Sequence, residues 1–180
     1  MARPDTDEEV WRYSRIGELD LDRYAPLKRQ RATQTVVQRD LSAFGEMSAV
    51  VVVRNGWIVE TTVSSDAVDL GLYAGPVGDA PDGESLLGAA VDVPVDLFGR
   101  LNRAFGPEPV AVVVPDGVRL GAPVVVVVLT DGDGAAVFPR VLVRVGADAS
   151  ADVVELHTST EVDALVAPVL EATVGRDGHL

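Results

Sequence analysis

The sequence predicts a mainly β fold, with an α+β N-terminal region at residues 1–106 followed by stacked short strands at residues 107–180. Two observations predict it. From Val110 onward, Val-rich runs of about four to eight residues alternate with Gly, Asp and Pro, which is typical of strands. The gaps between the runs are too short for the crossover helices of a doubly wound sheet. We therefore expect strands at residues 111–115, 124–129, 140–145, 152–157 and 166–174.

A β-hairpin is the clearest local prediction in the N-terminal region. Two runs rich in β-branched residues, 49–54 and 57–63, flank Asn55 and Gly56. An Asn-Gly pair between such runs favours a two-residue type I′ turn, so we expect a hairpin at residues 49–63. Residues 68–73 are a candidate third strand.

Two helices are expected in the same region. Thr6 to Glu9 has the Thr-x-x-Glu form of a capping box, which predicts a short helix there. Residues 92–106 predict a longer amphipathic helix ended by Gly106 and Pro107, with Asn102 and the neighbouring arginines facing solvent. Its apolar residues at helical spacing are Leu97, Phe98, Leu101, Ala104 and Phe105.

Charge and composition exclude several classes of function. Residues 1–40 carry eight basic and eight acidic residues, so the net charge of −13 lies entirely in residues 41–180. That surface repels phosphate backbones and anionic lipid, and the basic run at residues 28–31 is expected to be a solvated segment. We therefore expect no nucleic-acid partner.

The absence of cysteine and the hydropathy of the chain exclude further kinds of site and a membrane-spanning segment. The chain has no cysteine, which excludes disulfides, thiolate metal sites and cysteine nucleophiles. The charged N-terminus does not resemble a signal peptide, and no apolar run approaches the roughly 20 residues of a membrane span. We expect a cytoplasmic protein with no membrane association.

Glu155 and His157 are the leading candidates for chemistry. They lie two residues apart on a predicted strand, so both side chains point to one face and could bind a metal or a proton together. Without a third ligand, we expect them to form part of a polar outer face instead. The other histidine, His179, is expected to be disordered.

Other motifs carry weaker predictions. Trp11 and Tyr13 are candidates either for binding a partner or for fastening the N-terminal helix to the body. Residues 131–134, Asp-Gly-Asp-Gly, lack the remaining ligands of a calcium loop and predict a β-turn. Residues 64–66, Ser-Ser-Asp, have no nearby histidine, so a hydrolase is not supported.

Several segments, in order along nearly the whole chain, resemble one family. They are residues 9–14, 24–26, 98–105, 113–118, 122–124, 139–146 and 154–157. On these segments the chain is similar to the start of the SufB/SufD family of the SUF iron–sulfur cluster assembly system, and is most like SufD. The absence of cysteine favours SufD, because the scaffold-type partner is the one expected to supply a thiolate.

The resemblance implies a fold as well as a role. Members have an N-terminal mixed α/β region, a right-handed parallel β-helix core and a C-terminal helical region that docks the SufC ATPase. This chain would contain the first part and only the opening coils of the second. We therefore expect a fragment of a longer protein, since a stacked solenoid that stops at Leu180 leaves an open strand edge.

The leading functional hypothesis is a non-catalytic, SufD-like scaffold subunit that acts with SufB and SufC homologues. ATP hydrolysis would belong to SufC, and no nucleotide motif occurs here. The family residues linked to cluster formation and to SufC binding lie beyond this sequence, so none is assigned. No cofactor is expected on this chain alone, and a cluster is implied only for the family complex. The alternatives are a small acidic β-rich enzyme or ligand-binding protein that uses Glu155 and His157, and a non-functional fragment.

Overall fold

A computed structural model describes Asp7, residues 9–28 and residues 41–180. Thr6, of the predicted capping box, and residues 29–31, of the basic run, lie outside the described residues. Where the N-terminal helix was expected, the described part contains a single 3₁₀ turn at Glu9–Trp11. Further 3₁₀ turns occupy Ile16–Glu18, Leu21–Arg23, Ser42–Phe44 and Val77–Asp79.

The described chain is a mixed α/β structure with eleven strands and three α-helices. The helices are α1 (Ser65–Asp69), α2 (Gly83–Leu86) and α3 (Leu97–Phe105). The strands are β1 (Ala25–Pro26), β2 (Ala49–Arg54), β3 (Trp57–Val63), β4 (Tyr73–Pro76), β5 (Val110–Val114), β6 (Val124–Thr130), β7 (Ala135–Val137), β8 (Arg140–Val145), β9 (Val153–Ser159), β10 (Leu165–Val166) and β11 (Val169–Val174).

Three sheets rich in parallel pairs organise these strands. Sheet A has the order β1-β7-β10, sheet B the order β3-β2-β6-β9, and sheet C the order β4-β5-β8-β11. The β2–β3 and β4–β5 pairs are antiparallel, and the other pairs are parallel. The long Val-rich runs therefore form strands that are buried on both faces, as parallel sheets require.

From β5 onward, the chain visits the three sheets in a fixed order. It passes from sheet C to B to A, returns to C, and repeats the circuit. Partners in neighbouring strands lie about 30 residues apart, as for Val110 with Val141 and Val124 with Val153. A bridge ladder at one corner has the same spacing and joins Arg119, Ser150 and His179.

Segments from the N-terminal region pair directly with the first circuit. In sheet A, β1 lies beside β7, in sheet B β2 lies beside β6, and in sheet C β4 lies beside β5. Each of the three sheets therefore contains strands from both of the regions that the sequence suggested. The hairpin of β2 and β3 supplies an edge of sheet B and turns at Asn55 and Gly56, which have φ angles of 50° and 89°.

The main core fills the space between sheets B and C. It is built from alternate residues of β2, β6, β5 and β8, among them Val51, Val126, Val112 and Val143. Smaller clusters cover the outer faces. Leu86 and Val77 pack over Ala111 and Leu142 of sheet C, while Phe98 and Leu101 of α3 pack beside Phe138.

Two sequence predictions about secondary structure need correction. The helix expected at residues 92–106 begins at Leu97, because Asp96 caps it by accepting a hydrogen bond from the Gly99 amide at 2.7 Å. Residues 92–96, which include the β-branched Val93 and Val95 and also Pro94, remain non-helical. The candidate strand at residues 68–73 falls mainly on α1 and the turn after it, and only Tyr73 belongs to a strand, β4.

Two predictions about individual residues are also wrong. Asn102 is 2% exposed instead of facing solvent. His179 is ordered by its backbone, which donates to the Ala149 carbonyl at 2.9 Å and accepts from the Ala151 amide at 3.1 Å.

Candidate functional site

Glu155 and His157 lie on the inner face of sheet B, and not on a polar outer face as the sequence suggested. In the parallel register, Glu155 is paired with Val126 and His157 with Val128. Both of these valines belong to the main core. Because paired residues of parallel strands project to the same face, the Glu155 and His157 side chains continue rows that are otherwise valine.

The two side chains contact each other directly. The distance from His157 Nε2 to Glu155 Oε1 is 3.0 Å. This is the only hydrogen bond that the described structure gives to either side chain. The Glu155 side chain is 14% exposed and that of His157 is 40% exposed, so the pair is reachable from solvent at the edge strand β9. We call Glu155 and His157 the inner dyad.

An open cleft of about 260 Å³ adjoins the inner dyad on its His157 side. Ser159 lies on the same face of β9 as the dyad, in register with the buried Thr130. Hydroxyl groups and apolar side chains therefore line the cleft together. Its lining residues are Thr130, His157, Thr158, Ser159, Val162, Ala164 and Val166.

This arrangement can orient an imidazole, hold a proton or offer ligands to a cation. A carboxylate bonded to one ring nitrogen fixes the orientation and tautomer of a histidine. Within the described residues, the one hydrogen bond of the His157 side chain is to Glu155, and none is to a hydroxyl group. The described part also contains no group of three or more His, Cys, Asp or Glu residues suited to a metal ion.

The candidate partner-binding aromatics occupy different environments. The Trp11 ring packs edge-on against Phe98 of α3, with 5.5 Å between centroids and an interplanar angle of 76°. Trp11 therefore attaches the N-terminal segment to the helix. Tyr13 is 96% exposed, which leaves its side chain available to a partner.

The Asp131–Gly134 segment fastens the β2–β3 hairpin. The Asp131 carboxylate accepts hydrogen bonds from Arg54 Nε at 2.8 Å and from Asn55 Nδ2 at 2.7 Å. Burial raises the pKa of Asp131, but the hydrogen bonds from Arg54 and Asn55 and the Arg54 charge outweigh this effect and hold the pKa below its usual 3.8. The Asp131 carboxylate is thus committed to this contact.

A second carboxylate, Asp163, fastens the N-terminal segment near β10. It pairs with the guanidinium of Arg23 and accepts from the Tyr24 hydroxyl at 2.9 Å. That hydrogen bond is the main reason that the pKa of Tyr24 is raised. The Ser64 hydroxyl is likewise structural, since it accepts from the Ala67 amide at the start of α1.

Asn102 and Glu171 are two of the buried polar residues that sequence reasoning missed. Asn102 is four residues after Phe98, on the packed face of α3, and this spacing could have revealed its burial. Glu171 is 5% exposed and forms an ion pair with Arg140. It lies on the outer face of sheet C under the chain at Val91, a covering that no local pattern specifies.

Comparisons with known proteins give no assignment. No protein-family model matches the chain, and no match was found among curated proteins. In the described part, no helix is both long enough and apolar enough to cross a membrane.

Proposed function

We propose that this chain belongs to a SufD-like scaffold subunit of the SUF iron–sulfur cluster assembly system, acting with SufB and SufC homologues. The resemblance in sequence supports the proposal through several segments that keep the family's order. They include residues 9–14 near the N-terminus, residues 98–105 on α3 and residues 139–146 around β8. Each segment alone is short, so the proposal rests on the order of the segments along the chain.

The repeated circuit through three sheets is the single structural observation that supports this proposal most. Parallel partners about 30 residues apart on all three faces are what a parallel β-helix requires. We propose that the circuits are coils of a right-handed parallel β-helix, the core that the family resemblance implies. The right hand is the one that parallel crossover connections adopt in nearly all proteins.

The proposed role is structural and not catalytic. A SufC homologue would hydrolyse ATP, and the absence of Walker-type motifs here fits that division. With no cysteine in these 180 residues, thiolate ligands for a cluster would come from outside this sequence. A cytoplasmic location is part of the same proposal.

Co-purification tests the proposal. The product of the native reading frame that contains these residues should be tagged and expressed with SufB and SufC homologues from the same source. We expect the three proteins to elute together from an affinity column and then from size exclusion. Elution of the tagged protein without either partner would overturn the proposal.

A second candidate function is ligand binding at the inner dyad. The observation that favours it is the pairing of Glu155 and His157 on an otherwise apolar inner face, beside an open cleft. Substituting His157 by Ala should abolish ligand binding while the circular dichroism spectrum is retained. Retained binding by that variant would remove this candidate.

A further inference from the structure

The turn of the β2–β3 hairpin contains the one asparagine in the sequence that precedes a glycine, Asn55 before Gly56. Asparagine is among the thermolabile residues, and a following glycine has no side chain to shield the backbone nitrogen that can attack the carboxamide. The other asparagine, Asn102, precedes the bulky Arg103. The chemistry to consider at Asn55 is therefore deamidation, which needs no reactant besides water.

Deamidation at Asn55 forms and breaks a defined set of bonds. The Gly56 nitrogen bonds to Asn55 Cγ, and the bond from Cγ to Nδ2 breaks. Nδ2 leaves as ammonia with the proton lost from the Gly56 nitrogen, which leaves a five-membered cyclic imide. Water then opens the imide at either carbonyl, so residue 55 becomes aspartate or isoaspartate. Both products carry a negative charge that asparagine lacks.

The folded turn holds the reacting atoms apart. The φ angles of Asn55 and Gly56, 50° and 89°, match a type I′ turn, in which ψ of the first central residue is about 30°. That ψ places the Gly56 nitrogen on the opposite side of the Asn55 Cα–C bond from Cβ, whereas ring closure requires the two to be nearly eclipsed. Gly56 is buried, and a Cβ there would lie only 3.2 Å from Pro107 Cγ, so packing keeps the turn in this conformation.

Hydrogen bonds fix the Asn55 carboxamide as well. Its Nδ2 donates to Asp131 Oδ1 at 2.7 Å, and its Oδ1 accepts from the amides of Asp131 and Gly132 at 3.0 and 3.3 Å. A carboxamide bound through both terminal atoms cannot turn Cγ toward the Gly56 nitrogen. We propose that Asn55 is a deamidation site that the closed hairpin and its Asp131 contact keep unreactive, and that reacts when the hairpin opens. This inference is independent of the SUF role and of ligand binding at the inner dyad.

The reaction product would prevent the hairpin from closing again. A carboxylate at residue 55 would face the Asp131 carboxylate across the 2.7 Å contact that Nδ2 now makes. The two negative charges repel at that distance, and the Arg54 guanidinium, which now pairs with Asp131, would serve both. Deamidation therefore converts a reversible opening at the edge of sheet B into a permanent one.

Peptide mass spectrometry after incubation at neutral pH tests the proposal, with Asn102 as the internal control. In the native reading-frame product, Asn55 should deamidate more than about tenfold more slowly when folded than in urea, because reaction requires local opening. Asp131→Ala should raise the folded rate by about tenfold, since it removes a hydrogen bond to a charged group. Glu171→Gln, which destabilises sheet C away from the hairpin, is the matched control and should keep the wild-type rate. A folded wild type that reacts as fast as in urea, or equal rates in the two variants, would overturn the proposal.

A second measurement tests the effect of the product charge. Asn55→Asp supplies that charge without the reaction, and Asn55→Gly removes the same side-chain hydrogen bonds without adding a charge. Hydrogen exchange should be faster at the β3 amides of Asn55→Asp than at those of Asn55→Gly, with exchange in β8 and β11 equal in both. Exchange in β3 that is no faster in Asn55→Asp would overturn the proposed lasting opening.

Discussion

Arg140 and Glu171 form a buried ion pair between neighbouring parallel strands of sheet C. Arg140 Nε donates to Glu171 Oε1 at 3.0 Å, and the two side chains are 12% and 4% exposed. The second carboxylate oxygen of Glu171 accepts from the Val91 amide at 3.2 Å. The pair thus joins β8 to β11 and holds the 87–96 segment against the outer face of the sheet.

Glu171→Gln should lower the free energy of unfolding by about 3 kcal/mol, because it leaves the Arg140 charge buried without a counter-ion. Urea denaturation measures the effect. The matched control is Glu18→Gln, which breaks the Arg15–Glu18 surface pair, whose side chains are 84% and 63% exposed. That change should leave the free energy of unfolding nearly unchanged, because an exposed ion pair is screened by solvent. Equal effects of the two variants would show that burial of the Arg140–Glu171 pair is unimportant.

Asn102→Ala should destabilise the protein by about 2 kcal/mol. The Asn102 Nδ2 group donates to the carbonyls of Pro139 and Ala167, at 2.8 and 2.9 Å, at the same corner of two successive circuits. Asn102→Asp should cost more at neutral pH, because a carboxylate would face two carbonyl oxygens. Thermal unfolding compares both variants with Arg100→Gln, an exposed control on the same helix. An Asp variant as stable as the Ala variant would contradict this account.

Asn55 combines a left-handed backbone with side-chain hydrogen bonds, and two variants separate these contributions. Asn55→Ala should cost about 2 kcal/mol, because alanine disfavours φ of 50° and lacks the Oδ1 that accepts from the amides of Asp131 and Gly132. Asn55→Gly should cost about 1 kcal/mol less, since glycine accepts the backbone conformation. Chemical denaturation measures the free energy of unfolding of both variants. Equal losses in Asn55→Ala and Asn55→Gly would exclude a contribution from the backbone conformation of Asn55.

Asp131 should contribute to the pH dependence of stability. Its folded pKa is depressed below 3.8, so its contribution is fully present above that value and is lost as the pH falls through the folded pKa. The stability difference between wild type and Asp131→Asn should therefore be constant near neutrality and shrink below about pH 4. Asp69→Asn, an exposed change on α1, is the control. A stability difference that grows as the pH falls would contradict the depressed folded pKa of Asp131.

Most strands of residues 107–180 could be predicted, because runs of β-branched residues favour strands and turn residues end them through local preferences. The runs around β5, β6 and β8 correspond closely to strands. The short strand β7 was missed, and the single strand predicted at residues 166–174 covers the end of β10 and all of β11, with a corner at Ala167 and Pro168 between them. Corners of this kind depend on stacking between circuits, which the local pattern does not encode.

The sequence predicted that the two residues of the candidate site share a face, but not which face. Alternation placed Glu155 and His157 on one face, and the structure joins them. Which face they occupy follows from their register with Val126 and Val128, nearly 30 residues earlier in the chain. Register over that distance is set by packing of the whole circuit, so the polar residue types alone suggested the wrong face.

The measurement that tests the central proposal most directly is the mass of the complex in solution. The native reading-frame product should be mixed with purified SufB and SufC homologues and analysed by size exclusion with light scattering. We predict one peak whose mass requires all three components and which persists in raised salt, where non-specific binding to a chain with charge −13 is screened. Three separate peaks at low and raised salt alike would contradict the SUF assignment.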